Sequence, residues 1–282
     1  MYDDTQTVLG RVMRREKLTG ADLRHLRLGR SGNTIVAETA RHVIRIAWCA
    51  PLRVDVETRV WQAARNAGVP VPELAGRGRV GTHEYMVYTR LPGWPSPADR
   101  AALRAAGSTL AALHAAPPRG FPATLDARPR RMRRFALAGR FMDRHQGQMP
   151  HAVASCVRLA EQDWASTFDT MTHGDFRGPN ILARGNRITG VLDWSDARMA
   201  SREADLGSLA WAGFPDILDG YLAAAPTPQG GLLLGYFAAR YSALAASGVL
   251  LAAQALDAVD RCVATLADKK IAIDPGDTIQ TC

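Results

Sequence analysis

Apolar residues recur along this chain with two different periods, and the switches between them outline its elements. Thr34 to Glu38 and His42 to Ala47 are short runs of strand character beside a turn of small and polar residues, Leu28 to Asn33. Val56, Val60, Ala63 and Ala67 then recur at helical spacing within Val54 to Ala67, and Gly68 supplies a stop. Tyr85 to Thr89 returns to strand and runs into a turn at Leu91-Pro92-Gly93. A further helix is marked from Ser96 as N-cap and Pro97 as its first residue; it buries Leu103, Leu110 and Leu113 and ends at Pro117-Pro118. Pro117 to Trp164 is basic, proline-punctuated and at first poorly periodic, while Gly231 to Ala267 reads as two or more alanine- and leucine-rich helices. The pattern predicts a small sheet with one helix, followed by a larger and mainly helical part.

Between these parts lies a hairpin whose polar residues are not explained by packing. Ile181 to Arg184 and Arg187 to Leu192 flank Gly185-Asn186, a glycine-containing two-residue turn. If that turn sets the register, Arg184 faces Arg187, Asn180 faces Val191, and Asp193 lies two places further on the same face. Such diagonal neighbours sit roughly 7–8 Å apart, a gap that two inward-leaning oxygen ligands can bridge around one magnesium ion with bonds of about 2.1 Å. Five residues before Asn180 stands Asp175, in His173-Gly174-Asp175. A carboxylate that can take a hydroxyl proton, an amide oxygen and a second carboxylate are the groups that align a hydroxyl with a magnesium-bound nucleoside triphosphate. The plain alternative, a surface hairpin with ordinary capping residues, explains any one of the three but not their joint spacing.

The run His173-Gly174-Asp175 with Asn180, an apolar strand and Asp193-Trp194 resembles the aminoglycoside phosphotransferase family, relatives of choline kinase and, more distantly, of the protein kinases. The resemblance extends over nearly the whole chain, through Gly68-Val69-Pro70-Val71-Pro72, Leu110-Ala111-Ala112-Leu113-His114 and Asp205-Leu206-Gly207. It implies an α+β, two-lobed, protein-kinase-like fold, with a small antiparallel-sheet N-terminal lobe (1–91) that binds nucleotide and a larger, mainly helical C-terminal lobe (92–282) that binds the acceptor. It further implies ATP or GTP with Mg2+, Asp175 as the base, and Asn180 and Asp193 as metal ligands. Arg45 stands where kinases use a lysine to grip the phosphates, and Glu57 is the residue that would pair with it. The backbone amides of Ser31, Gly32 and Asn33 are suited to approach phosphate. Thr89 and Leu91 fall where the lobe linker contacts adenine, Asp205 where it steadies the catalytic loop, and Arg177 where protein kinases place a lysine near the γ-phosphate; a solvent-facing arginine is the competing reading of Arg177. His173 is read as shaping its loop and His114 as a core residue.

Composition narrows the classes. A chain of 282 residues that is 47% hydrophobic has ample material for a core. Cys49, Cys156, Cys262 and Cys282 are scattered, without the paired spacing of a zinc site or a disulfide framework, so a reducing cytoplasm is the expected compartment. No basic-then-apolar leader opens the sequence. The apolar run from Tyr241 to Leu256, fenced by Arg240 and Asp257, is shorter than the roughly 20 residues a bilayer needs, so it predicts a buried helix and no membrane partner. The formal charge of +8 and the arginines Arg128, Arg130, Arg131, Arg133, Arg134, Arg140 and Arg144 raise the question of nucleic acid. Lysine appears only at Lys17, Lys269 and Lys270 and alanine is abundant, the usage of a GC-rich genome, so the patch reads as a solvated face. No Gly-x-x-x-x-Gly-Lys loop, His-Glu-x-x-His helix or Gly-x-Ser-x-Gly elbow is present.

The leading expectation is a kinase that inactivates a basic antibiotic (an aminoglycoside or a tuberactinomycin such as capreomycin or viomycin) and so gives resistance. A metabolic kinase for choline, homoserine or a sugar is the alternative, and a non-catalytic nucleotide- or nucleic-acid-binding protein comes third, with the intact Asp175, Asn180 and Asp193 against it. A polycationic acceptor calls for carboxylates. Some of Asp196, Glu203, Asp216, Asp219, Asp257, Asp260 and Asp268 are therefore expected to line the acceptor side, with the Arg128 to Arg144 patch pointing away; ordinary helix caps and surface charges are the competing reading.

Overall fold

The computed structural model describes residues 2–18, 23, 25–28, 34–49, 51–52, 54–95, 98–119, 121, 128–145, 147–149, 151–164, 170–209 and 213–274. The architecture is α+β. Its first part is a five-stranded antiparallel sheet in the order β1-β2-β3-β5-β4, built from β1 (His25–Leu28), β2 (Thr34–Glu38), β3 (His42–Ala47), β4 (Leu74–Val80) and β5 (His83–Thr89). Two helices accompany it where the sequence pattern suggested one: α1 (Tyr2–Arg15) and α2 (Val54–Asn66). Leu9, Val12 and Met13 of α1 have the helical spacing of a buried stripe and pack with Ile35, Ile44, Ile46, Tyr85 and Val87. Because strand residues alternate between faces, Arg45, between Ile44 and Ile46, and Met86, between Tyr85 and Val87, turn to the opposite face. There α2 contributes Val60, Trp61, Ala63 and Ala64 to the same cluster as Met86.

The second part contains β6 (Trp94–Pro95), α3 (Arg100–Ala115), α4 (Arg128–Arg144), α5 (His151–Asp163), β7 (Met171–Thr172), β8 (Ile181–Arg184), β9 (Arg187–Val191), β10 (Arg198–Met199), α6 (Arg202–Leu206), α7 (Phe214–Leu222), α8 (Gly230–Ala246) and α9 (Ala252–Asp268). The start of α3 differs from the sequence reading. Asp99, not Ser96, is the N-cap, its carboxylate accepting from Ala101 N at 2.9 Å and Ala102 N at 3.2 Å; Ser96 and Pro97 lie outside the described residues. Helices α3 and α7 come close enough that a Cβ on Gly220 would lie 1.9 Å from Arg104 O, and one on Gly107 2.0 Å from Ile217 O.

The apolar run from Tyr241 to Leu256 is not the single buried helix expected: it comprises the end of α8, a turn at 247–251 where Val249 and Leu251 are exposed, and the start of α9, because Gly248 takes a left-handed backbone (φ 71°) that ends α8. Helix α8 itself is buried around nearly its whole circumference from Gly230 to Ala243 and packs against α4, α5, α6 and α9. No described helix is long and apolar enough to cross a membrane. The parts of the molecule are tied where Val191 N donates to Pro70 O at 2.8 Å, joining the hairpin of β8 and β9 to the segment after α2.

Candidate active site

The loop after β7 is held from beneath by one carboxylate. Asp205, fully buried in α6, accepts from the backbone amides of His173 and Gly174, each at 2.6 Å, and lies 3.2 Å from His114 Nε2. Burial works to raise the Asp205 pKa, but the bond from His114 and the charges of His114 and Arg198 outweigh it and hold the group below the usual carboxylate range. Gly174 sits at φ +83°, and a Cβ there would be 2.2 Å from Asp196 O, so glycine is the residue this bend accepts. His173 is buried; its Nδ1 accepts from Asp175 N at 3.2 Å and its Nε2 lies 2.9 Å from Leu192 O. A ring that accepts at one nitrogen and meets a carbonyl at the other is the neutral, Nε2-protonated tautomer. His173 therefore shapes the loop, and His114 is a core residue that positions Asp205.

Asp175 emerges half-buried at the end of this loop. Its Oδ2 accepts from Arg177 Nε at 2.8 Å and from Asn180 Nδ2 at 3.0 Å, and Asn180 Nδ2 also donates to Asp175 O at 2.9 Å. Both partners of that NH2 group are acceptors, which fixes the amide orientation and turns the Asn180 oxygen the other way. Asp175 and Asn180 are thus brought together by a loop and a single 3₁₀ turn, Gly178–Asn180. The hairpin register departs from the one read in the sequence. Arg184 does face Arg187, but a β-bulge follows: Ala183 pairs with Ile188, Leu182 with Gly190 and Ile181 with Val191. Thr189 is the extra residue, and its hydroxyl bonds Pro92 O instead of joining the ladder. Asn180 is consequently opposite Leu192, whose amide donates to Asn180 O at 2.8 Å, and strand alternation does not place Asp193 beside it. A left-handed backbone at Asp193 (φ 60°, ψ 68°) turns the carboxylate instead, and Ser195 Oγ bonds its Oδ1 at 2.9 Å.

Across from this loop, Arg45 Nη1 pairs with Glu57 Oε2 at 2.8 Å, with the arginine side chain 18% exposed and the glutamate 5%. Burial works against the Arg45 charge, but Glu57, Tyr88 and Asp193 more than compensate and raise its pKa. Glu57 lies deeper, so for it burial prevails over Arg45, and Asp193 adds to the upward shift. These influences place Asp193 electrostatically beside the Arg45–Glu57 pair. Thr89 ends β5; its N–H donates to Glu73 O at 2.9 Å and its Oγ1 accepts from Glu73 N at 2.9 Å. Leu91 packs close over Gly190, where a Cβ would be 2.7 Å from Leu91 Cδ1. Ser31, Gly32 and Asn33 lie outside the described residues.

This arrangement of strand arginine, helix glutamate, loop aspartate and asparagine, and post-hairpin aspartate accompanies a family match over most of the chain, since the model of the phosphotransferase enzyme family covers residues 22–246. The chain belongs to the phosphotransferase enzyme family. Solved structures share the two-lobed, kinase-like fold. The macrolide 2'-phosphotransferase MphH from Brachybacterium faecium is 23% identical, with 89% of this chain and 97% of that one covered at a TM-score of 0.55. A thermostable mutant of the aminoglycoside phosphotransferase APH(4)-Ia, in ternary complex with ADP and hygromycin B, is 20% identical, with 91% and 97% covered at a TM-score of 0.62. A choline/ethanolamine kinase family protein from Mesorhizobium loti is 18% identical, with 92% and 95% covered at a TM-score of 0.57.

The donor set of this phosphotransferase suits a hard divalent cation. The Asn180 amide oxygen and the Asp193 carboxylate are oxygen donors of the kind magnesium takes, one neutral and one charged. The described residues contain no group of three or more histidine, cysteine, aspartate or glutamate side chains that could hold a metal ion.

Charges around Asp175 differ from the expectation. Five of the seven carboxylates named for the acceptor side are engaged in ion pairs elsewhere: Glu203 with Arg202, Asp216 with Arg100 and Arg104, Asp219 with Arg104 and Lys269, Asp257 with Arg261, and Asp268 with Lys269; Asp196 stays near the site, within electrostatic reach of Arg134. Nor does the whole arginine patch point away. Arg134 of α4 lies within electrostatic reach of Asp196 and Asp175, which oppose the lowering of its pKa by burial. Arg240 of α8 stands 4.0 Å from Asp175 Oδ1 with its side chain 13% exposed. Sequence reasoning noticed Arg240 only as the fence of an apolar run. Its signal was available, because a lone arginine within a helix buried on all sides needs an anionic neighbour. Two open cavities of about 380 and 390 Å³ lie around Pro70, Arg187 and Ile188, and none of the residues that meet at Asp175 lines them.

Proposed function

We propose that this phosphotransferase moves the γ-phosphoryl group of ATP or GTP to a hydroxyl of a small molecule in the cytoplasm. The observation that carries the reading is the joining of Asp175 to Asn180 on one wall, with Asp193 coupled to the Arg45–Glu57 pair on the other. Asp175 Oδ2 is taken by Arg177 and Asn180, so Oδ1 is the oxygen that meets the acceptor hydroxyl. The hydroxyl oxygen bonds to the γ-phosphorus, the bond from that phosphorus to the β–γ bridging oxygen breaks, the hydroxyl proton passes to Asp175, and the nucleoside diphosphate leaves. Arg45, oriented by Glu57, holds phosphate oxygens, and the Ser31-Gly32-Asn33 segment offers backbone amides to them. Asn180 and Asp193 would hold Mg2+, which when bound would neutralise charge on the phosphates. The nucleotide lobe spans 1–91 and the acceptor lobe 92–282. With its own N–H given to Glu73, Thr89 meets the base through its carbonyl, and Leu91 through its amide.

Two acceptor classes fall within this reading. An antibiotic, aminoglycoside or tuberactinomycin, finds support in relatives such as the hygromycin B complex. A metabolic alcohol finds support in the choline/ethanolamine kinase neighbour; the charges of the acceptor side, where Arg134 and Arg240 stand near Asp175, disfavour cationic choline as they do a basic antibiotic and favour an alcohol without positive charge. This chain's own residues favour the second. The experiment is phosphoryl transfer by the purified protein with Mg2+ and ATP or GTP across antibiotics and small alcohols, read by mass spectrometry. Nucleotide binding with no phosphorylated product from any alcohol would leave the non-catalytic reading in its place.

A further inference from the structure

Two guanidinium groups stand at Asp175, Arg177 from the loop and Arg240 from α8, and a third, Arg134 of α4, lies within electrostatic reach of Asp196 and Asp175. Arg177 bonds Asp175 Oδ2 directly at 2.8 Å, whereas Arg240 approaches Oδ1 only to 4.0 Å, beyond hydrogen-bond distance. Burial draws the Arg240 pKa down to about 10, and Arg134 and Arg177 add to that effect while Asp175 opposes it. Cations that are desolvated and repel one another are stable only where an anion meets them. Asp175, which already accepts from Arg177 and Asn180, and Asp196, within reach of Arg134, bring two negative charges to three guanidinium groups.

The γ-phosphate, which meets the acceptor hydroxyl at Asp175 Oδ1 in the proposed reaction, is the competing anion, and filling its site with AMP-PNP separates the two. On the sheet side phosphates have a cation of their own in Arg45, held by Glu57. Arg134 and Arg240 stand on α4 and α8, which pack against each other in the helical lobe. A polycationic acceptor entering there would set like charges against both arginines, and Glu203, Asp216, Asp219, Asp257 and Asp268 are held in ion pairs of their own. We infer that the acceptor is an alcohol bearing an oxyanion, a carboxylate or a phosphate, close to its reactive hydroxyl, and that Arg134 and Arg240 bind that group. The inference rests on the kinase reading and narrows it.

The test has two arms. Transfer is measured on matched sets: glycerate, glycerol 3-phosphate, glycerol and serinol, then galacturonate, galactose and galactosamine, with hygromycin B alongside. Separately, the complex with Mg2+ and AMP-PNP, whose phosphate site is filled, is titrated with malonate against chloride at equal ionic strength, and thermal stability is followed. Expected are a kcat/KM for anionic members at least about tenfold above neutral and cationic ones, and a malonate-dependent rise in Tm. Glycerate and glycerol 3-phosphate distinguish carboxylate from phosphate. Arg134→Gln and Arg240→Gln should each raise the acceptor KM about tenfold, leave the nucleotide KM in place, and abolish the malonate effect. Preference for neutral or cationic members, absence of a malonate effect in the wild-type complex, or a rise in nucleotide KM instead of acceptor KM would overturn the inference. The wild-type titration needs no variant to fold. A protein that AMP-PNP fails to stabilise removes the kinase reading itself, a result separable from the others.

Discussion

Asp205 and Gly174 are joined by a 2.6 Å hydrogen bond from the Gly174 amide to Asp205 Oδ1, and the preceding amide, of His173, bonds the other oxygen of the same carboxylate. One buried side chain of α6 therefore sets the backbone from which Asp175 projects. Asp205→Asn keeps the shape but loses the charge and one acceptor oxygen. It is expected to destabilise the protein by about 3–5 kcal/mol at neutral pH, the usual result of breaking a buried charged network. Because the folded-state pKa of Asp205 is depressed, its contribution is complete above the unfolded value of about 4 and is lost as pH falls through the lower folded value. Urea denaturation of the two proteins should show a gap that narrows below about pH 4; a gap constant down to the acid transition would contradict this.

Gly174→Ala places a Cβ at φ +83° and 2.2 Å from Asp196 O. The combined strain and overlap should lower stability by about 2–4 kcal/mol, and turnover should fall even where the variant remains folded. An alanine variant as stable and active as wild type would show that the loop has another conformation available.

Asp175→Asn should reduce turnover by about 10²–10⁴-fold, the range of a positioned general base, while nucleotide affinity stays near wild type. Steady-state kinetics with calorimetric nucleotide binding checks both halves. Turnover within threefold of wild type would remove Asp175 from the proton transfer.

Asp193→Ala should abolish magnesium-dependent nucleotide binding, and Asn180→Ala should weaken it less, since one brings a charge and the other a dipole. Titration of nucleotide with and without EDTA decides the point. Equal, metal-independent binding in both variants would place the ion elsewhere.

Arg45 and Glu57 are expected to act as one unit. Arg45→Ala should raise the nucleotide KM more than the acceptor KM. A double-mutant cycle with Glu57→Gln should return a coupling of about 1–3 kcal/mol in nucleotide binding, because each side chain orients the other at 2.8 Å. Additive losses would mean that Glu57 does not position Arg45.

The local pattern of the sequence determined what depends on near neighbours. Strand alternation placed Arg45 between Ile44 and Ile46, helical spacing placed α2 and its Glu57, and the Gly185-Asn186 turn aligned Arg184 with Arg187. The candidate site was legible as an order of residues, because Asp175, Asn180 and Asp193 follow one another within one stretch of chain. Tertiary structure decided the rest. The hairpin register shifted because Thr189 found a partner in Pro92, a contact no local pattern carries, and the direction of Asp193 is set by a left-handed turn, not by strand alternation. Helix α1 docks on the sheet through a stripe whose partners lie far along the chain. The character of the acceptor side depended most on long-range contact. Which arginines face Asp175, and which carboxylates are already bound by Arg100, Arg104 or Lys269, is settled by helix packing. Charge acts over distance in space, and one-dimensional order does not record that distance.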